Sequence, residues 1–195
     1  ILSILFLLSI ITVYIYVERY LIIKKALKED EAFQLTFADL MSDKKQEAAK
    51  DLCQRNQSFA AKVYAIGLKN KHLTAKALHL RLEKHVGQLV HQMEEKLPTL
   101  ATISGAAPML GFLGTVVGMI LVFHNIATSG GKIELELLSN GIYTAMTTTV
   151  AGLIVGLVAF VAYNNLAAKM TKIAFKGERL CDAFVDSTSP QSNIL

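Results

Sequence analysis

The sequence predicts an all-α integral membrane protein with three transmembrane helices, the N-terminus outside and long helices extending into the cytoplasm. The main observation is a pair of apolar segments, residues 100–127 and 138–166, that contain no Asp, Glu, Lys or Arg. A helix needs about 20 apolar residues to cross the hydrocarbon core, and both segments exceed that length. A third apolar segment covers residues 1–23, and 52% of the 195 residues are hydrophobic.

Residues 1–23 are expected to form the first transmembrane helix. A secretory signal peptide would carry a basic leader and a small-residue cleavage site, and neither accompanies this segment. Nothing in the sequence breaks a helix between Tyr20 and Asp30, so we expect the helix to continue past Tyr20 into the cytoplasm.

The distribution of positive charge predicts the orientation. Of the 20 Lys and Arg residues, only Lys132 lies between the second and third spans. Cytoplasmic flanks of membrane helices are enriched in these residues, so residues 24–99 and 167–195 are predicted to be cytoplasmic and residues 128–137 a short periplasmic loop. The basic pI of about 9.0 is explained by this bias, and the basic residues are diluted with acids, so no nucleic-acid partner is expected.

The cytoplasmic region is predicted to be helical. Residues 29–50 are rich in good helix formers, and residues 56–58 and Gly67 are the expected interruptions. A second long helix is predicted from about Leu73. Its apolar positions recur every three or four residues and should be buried against the other cytoplasmic helix: Leu78, Leu82, Val86, Leu89, Met93 and Leu97. The opposite, solvated face carries Arg81, Lys84, Gln88, Gln92 and Glu95.

Two prolines are expected to bend the chain. Pro98 lies where the cytoplasmic helix meets the membrane, and Pro108 lies inside the second span. Proline removes a backbone donor and clashes with the preceding turn, so each should kink its helix. The carbonyl freed by Pro108 must be satisfied within the protein, so this bend should face protein and not lipid.

Glycines at helical spacing are predicted to pack the second and third spans. Gly111, Gly114 and Gly118 fall on one stripe of the second span, and Gly152 and Gly156 fall on one stripe of the third. Both stripes contain a GxxxG pattern, which lets membrane helices approach closely.

Threonines accompany both glycine stripes. Thr115 lies in the second span, and Thr144, Thr147, Thr148 and Thr149 lie within two turns of the third. Thr144 and Thr148 share a face, with Thr149 about 100° around the helix. Hydroxyls can line a water-filled or ion-conducting path, for which we single out Thr115, Thr144, Thr148 and Thr149. The alternative is that they only bond to their own helix carbonyls.

The second and third spans lack a titratable group at mid-membrane, which a proton path normally requires. A carboxylate on another chain would have to supply it. Glu18 lies at the inner end of the first span, where pairing with Arg19 or a neighbouring subunit is expected, and His124 is expected to face the outer interface.

Enzymatic chemistry is not expected. The sequence contains no nucleophile–base arrangement or phosphate-binding loop, and Cys53 and Cys181 have no zinc-ligand spacing. No cofactor or metal is predicted.

The chain resembles the MotA/TolQ/ExbB stator family, and most of all its ExbB and TolQ members. The matching stretches are Val17-Glu18-Arg19, residues 100–123 with their Ala-Pro-x-x-Gly-x-x-Gly-Thr-Val-x-Gly block, and residues 141–153 and 162–164. The family's threonines carry over to Thr115 and Thr149. The family's third-span glutamate does not, because Thr144 stands in its position.

The resemblance implies a protein of the bacterial inner membrane. It implies a homopentamer around two helices of an ExbD/TolR-like single-span partner, which supplies the membrane Asp. Ion flow would drive rotation and energise a TonB- or TolA-like protein that reaches the outer membrane. The coupling ion, proton or sodium, stays open, as does the choice between ExbB-type import and TolQ-type envelope maintenance. A passive structural membrane oligomer is the alternative from a different class.

Overall fold

The structure, a computed structural model, describes residues 1–28, 31–43, 45–56, 58–128 and 135–188, without the side chains of residues 31, 135 and 137. Every secondary-structure element in these residues is an α-helix, which confirms the predicted fold class. Most of the predicted loop at residues 128–137, with Lys132, and the end of the predicted tail lie outside the described residues.

Seven helices follow one another within the described residues. They are α1 (Leu2–Leu27), α2 (Glu31–Ser42), α3 (Gln46–Arg55), α4 (Phe59–Lys69), α5 (Ala75–Glu94), α6 (Leu97–Thr128) and α7 (Leu135–Thr188). Among the described residues, three helical stretches are long and apolar enough to cross a membrane: Leu2–Leu27, which is α1, Ala75–Thr128, which includes α5 and α6, and Leu138–Thr188 within α7.

The residues separate into two compact units. The first unit contains residues 1–19 and 96–167, and the second contains residues 20–95 and the chain from residue 168. The borders lie close to the predicted span ends at residues 23, 100 and 166. The limits of the spans themselves stay a prediction.

The first unit buries small residues together with a few larger ones, and it exposes many large apolar side chains. Its core joins Leu5 of α1, Ile103 and Ala107 of α6, and Ala159 of α7. Large side chains point outward, including Phe112, which is 67% exposed, and Leu157, which is 64% exposed. This distribution suits a surface that contacts lipid or other membrane helices.

The second unit is a helical bundle with an aromatic centre. The rings of Phe33, Phe37, Tyr64 and Phe184 pack together, with Phe37 and Tyr64 at a centroid distance of 4.5 Å. The predicted stripe on α5 is confirmed as buried, except that Met93 is only half-buried, and its predicted polar face is exposed. Val86 of this stripe packs on Gly177 of α7, so the stripe is buried against α7 as well as α4.

Two local predictions about the helices are confirmed. The helix α1 does continue past Tyr20, to Leu27. The interruption at residues 56–58 is confirmed on its described residues, since the Ser58 hydroxyl accepts a hydrogen bond from the Ala61 N–H at 3.2 Å and caps α4; Gln57 lies outside the described residues.

Two local expectations were wrong. Gly67 does not interrupt a helix: it lies inside α4, where the Phe184 ring occupies the space that a Cβ would need. The helix predicted over residues 29–50 is broken between Ser42 and Gln46. There the Ser42 hydroxyl donates to the Asp39 carbonyl, a local bond of the kind that competes with helix formation.

The two prolines occupy different positions. Pro98 follows the junction between α5 and α6, where it cannot donate to the Glu94 carbonyl. Pro108 lies inside α6, which continues to Thr128. The expected kinks at both residues stay predictions.

Candidate ion pathway

The second and third predicted spans meet along their glycines. The pairs run in antiparallel register, with Gly118 beside Ala145, Gly114 beside Thr148, Gly111 beside Gly152, and Pro108 beside Gly156. A Cβ on Gly152 would lie 2.6 Å from the Ala107 carbonyl oxygen and 2.8 Å from the Gly111 Cα. The two backbones therefore touch with no side chain between them, which only glycine allows.

One threonine hydroxyl joins the two helices. The Oγ1 atom of Thr149 donates to the carbonyl oxygen of Gly111 at 2.9 Å, and Thr149 is half-buried. This bond lies where the glycine backbones touch, so it fixes the register of α7 on α6 at that point.

The neighbouring Thr148 is buried in the same contact. Its hydroxyl donates to the Ala145 carbonyl of its own helix at 2.7 Å, and its side chain fills the space left by Gly114. The structure thus brings Thr148 and Thr149 together at the contact between α6 and α7.

Thr115 and Thr144 lie nearer the surface of the subunit. Thr115 is half-buried and donates to the Phe112 carbonyl at 2.7 Å, whereas Thr144 is exposed and donates to the Asn140 carbonyl at 2.9 Å. The antiparallel register places Thr115 at the level of Thr148. The hydroxyls singled out from the sequence therefore occupy one band across the first unit, partly inside the helix contact and partly outside it.

The band has a defined chemical character. Each of the four hydroxyls already donates its proton to a backbone carbonyl. What remains on each oxygen is acceptor capacity. Such oxygens can accept a hydrogen bond from a protonated acid or water, or coordinate a cation, without breaking a bond within the subunit.

Comparison with known proteins now identifies the family. Residues 24–178 match the family described as the MotA/TolQ/ExbB proton channel family. The chain belongs to this family.

Two relatives of the chain, one named TolQ and one named ExbB, show how far the similarity extends. The chain is 27% identical over 183 residues to the Tol-Pal system protein TolQ of Haemophilus influenzae, covering 85% of this chain and 77% of that protein. It is 32% identical over 113 residues to the biopolymer transport protein ExbB of Aquifex aeolicus, covering 58% of this chain and 74% of that protein. With its three membrane-spanning helices, this family member is a multi-pass protein of the bacterial inner membrane.

The family description is that of a channel and not of an enzyme family. Within the described residues, no group of His, Cys, Asp and Glu is arranged to hold a metal ion. Burial raises the pKa of the Cys53 thiol to about 11, so this thiol stays protonated at neutral pH and is a poor nucleophile.

One ion pair, at the predicted inner end of the first span, was missed in part by sequence reasoning. Glu18 pairs with Arg19 at 3.9 Å, as expected, but its close partner is Lys96, whose Nζ lies 2.6 Å and 2.9 Å from the two carboxylate oxygens. Lys96 also lies 5.4 Å from the centre of the Tyr14 ring. The sequence signal that could have revealed this pair is the position of two opposite charges, Glu18 and Lys96, at the predicted inner ends of the first and second spans.

Proposed function

We propose that this protein is the ion-conducting subunit of an inner-membrane motor of the ExbB/TolQ type. In this proposal, the ion motive force drives the motor, and the motor energises TonB-dependent transport across the outer membrane. The observation that carries the proposal is the band of hydroxyls at Thr115, Thr144, Thr148 and Thr149 in spans that contain no acid of their own.

The absence of an acid from these two spans determines what the partner must supply. An ion path through a membrane uses a titratable or ion-binding group near its middle. In our proposal that group is an Asp on an ExbD/TolR-like single-span protein, enclosed by five copies of this chain. A TonB- or TolA-like protein then receives the mechanical work.

Each hydroxyl has a role in this scheme. Thr149 and Thr115 present acceptor oxygens to the partner's acid when it is protonated, or to a cation bound to it. Thr148 supports Thr149 from within the helix contact. Thr144, which replaces the glutamate of the family, contributes a neutral oxygen where relatives would have a charge.

A second candidate is a TolQ-type motor that maintains the cell envelope. The relative named TolQ matches 85% of the chain, the longer of the two matches described above. The two candidates share the ion path and differ in the protein that receives the work.

The test replaces the hydroxyls without changing side-chain shape. We expect Thr115→Val and Thr149→Val to leave the oligomer intact, because Val retains the packing volume, and to abolish TonB-dependent uptake in cells that lack the native protein. Thr12→Val is the matched control, since Thr12 is buried and its hydroxyl donates within its own helix, to the Leu8 carbonyl.

The readouts separate the candidates. Loss of uptake supports an ExbB-type role, whereas intact uptake with new sensitivity to detergents supports a TolQ-type role. If both properties survive in an assembled oligomer, the chain is a passive structural protein and the motor proposal is wrong.

A further inference from the structure

The helix α5 carries two open faces of opposite charge. One face borders a cavity of about 180 Å³ whose lining includes Arg81, Lys84 and His85 of α5 together with Asn70. Arg81 and Lys84 are exposed, and Lys62 of α4 adds a third positive charge near His85. This surface, the basic face, offers several cationic and polar groups to a ligand or partner.

The other side of α5 borders a groove with an apolar floor and acidic walls. The groove also has a volume of about 180 Å³; Val86, Val90 and Ala174 contribute to its floor, and Glu83 and Glu178 stand beside them. A Cβ on Gly87, which also lines it, would meet nothing within 4 Å. Asp182 lies next to this surface and holds His79 at 2.9 Å. We call it the acidic groove.

The two surfaces are placed for contact between copies. Successive residues of a helix are about 100° apart, so Gln88 of the basic face and Val90 of the acidic groove lie about 160° apart around α5. They also lie at nearly the same level along the helix. Rotation about an axis parallel to α5, with no translation along it, therefore brings the basic face of one copy against the acidic groove of the next.

We propose that α5 forms the lateral joint between neighbouring copies of this chain, with Arg81 and Lys84 of one copy against Glu83 and Glu178 of the next. The inference rests on the proposed function only in that it assigns the contact by which the ring of that motor closes. Such a head-to-tail contact closes into a ring when rotation alone relates the copies. Charge complementarity favours a second copy as the partner, because this chain carries both the basic face and the acidic groove at nearly the same height along α5.

Disulfide cross-linking tests the contact in native membranes. Gln88→Cys and Val90→Cys are placed in one chain whose Cys53 and Cys181 are replaced by Ala, and the membranes are oxidised with copper phenanthroline. The two new thiols lie on opposite sides of α5 and cannot join within a chain. We expect a ladder of covalent oligomers, whose longest member counts the copies in the ring.

The single-cysteine chains are the controls. A head-to-tail contact needs both thiols, so Gln88→Cys alone and Val90→Cys alone should give monomers. Dimers from either single variant would show a back-to-back contact and overturn the proposal, as would absence of the ladder from the chain with both thiols.

Charge reversal adds a test that does not depend on thiol geometry. Arg81→Glu with Lys84→Glu should remove the ladder, and adding Glu83→Lys with Glu178→Lys in the same chain should restore it. Reversal of Lys45, which precedes α3, and of Lys50 on α3 is the matched control and should leave the ladder unchanged. If the four reversals together do not restore the ladder, the charges do not meet across copies and the proposal fails.

The outcome is separable from that of the motor proposal. A missing ladder, combined with loss of uptake in Thr149→Val, refutes the joint and leaves the motor. A complete ladder with normal uptake and unchanged detergent resistance in Thr149→Val refutes the motor and leaves the joint.

Discussion

At the scale of residues, side-chain size sets how closely α6 and α7 approach. The sequence predicted that glycines would permit close packing, and the structure shows which of them bring backbone against backbone. Gly111 and Gly152 face each other directly, whereas Gly105 has open space at its Cβ position. Substitution of different glycines of the same span by alanine should therefore change the stability of the protein by different amounts.

We expect Gly152→Ala to destabilise the protein by about 1–3 kcal/mol, the usual cost of overpacking. Its Cβ would meet backbone atoms at 2.6 Å and 2.8 Å, and backbone has no rotamer into which it can withdraw. Gly105→Ala is the control and should be neutral or slightly stabilising, because Ala favours helix and nothing obstructs it. Unfolding of the purified protein in detergent measures both, and equal stability of the two variants would contradict the expectation.

The hydroxyl site shows where residue-scale prediction stops. Periodicity placed Thr144 and Thr148 on one face, yet Thr148 is buried and Thr144 is exposed. The edge of the helix contact passes between them, and the position of that edge depends on the partner helix. For the same reason the Thr149 bond to Gly111 could not be read from either span alone.

At the scale of elements, burial patterns were predictable and long-range polar contacts were not. Burial of the apolar stripe on α5 could be predicted from the sequence of that helix alone. The break between α2 and α3 depends on weak local competition, and Gly67 stays helical because an aromatic ring from α7 fills the space beside it. The hydrogen bonds of Lys176 could not be predicted from local hydrophobic periodicity, because their acceptors lie about 150 residues away along the chain.

Lys176 links the end of α1 to α7. Its Nζ donates to the carbonyl oxygens of Ala26, Leu27 and Lys28 at 3.2, 3.3 and 3.1 Å. Ala26 and Leu27 belong to the last turn of α1 and Lys28 follows it directly, at a helix end where orphan acceptors and the helix dipole favour a cation. The ammonium therefore caps α1 from a different helix.

We expect Lys176→Gln to loosen the last turn of α1 at a cost of about 1 kcal/mol. Amide hydrogen exchange at Leu27 and Lys28 should become faster, with little change in α5. Lys172→Gln is the matched control, because Lys172 is exposed on the same helix. Unchanged exchange in the Lys176 variant would show that the cap contributes nothing.

At the scale of the whole molecule, charge and hydropathy specify most of the architecture. Three apolar segments were enough to predict three helices able to span a membrane, and the two compact units divide the chain close to the predicted span ends. Orientation in the bilayer is a separate expectation that rests on the positions of Lys and Arg.

Thiol labelling in intact cells tests the orientation. A membrane-impermeant maleimide should label His124→Cys from the periplasm and should label Lys76→Cys only after the inner membrane is opened. Both positions are exposed. Background labelling should be slow at pH 7, because the native thiols are buried and Cys53 has a pKa of about 11. The reverse labelling pattern would place the N-terminus inside.

The contact between Gly111 and Gly152 also limits where movement could occur if the proposed motor rotates. Two backbones in contact, joined by the Thr149 hydroxyl, have no sliding surface between them. The α6–α7 pair is thus expected to move as one rigid body. Rotation in the proposed motor would then occur between this pair and the partner helices that it encloses. Any relative movement during the cycle of the proposed motor would then occur at the contacts between chains.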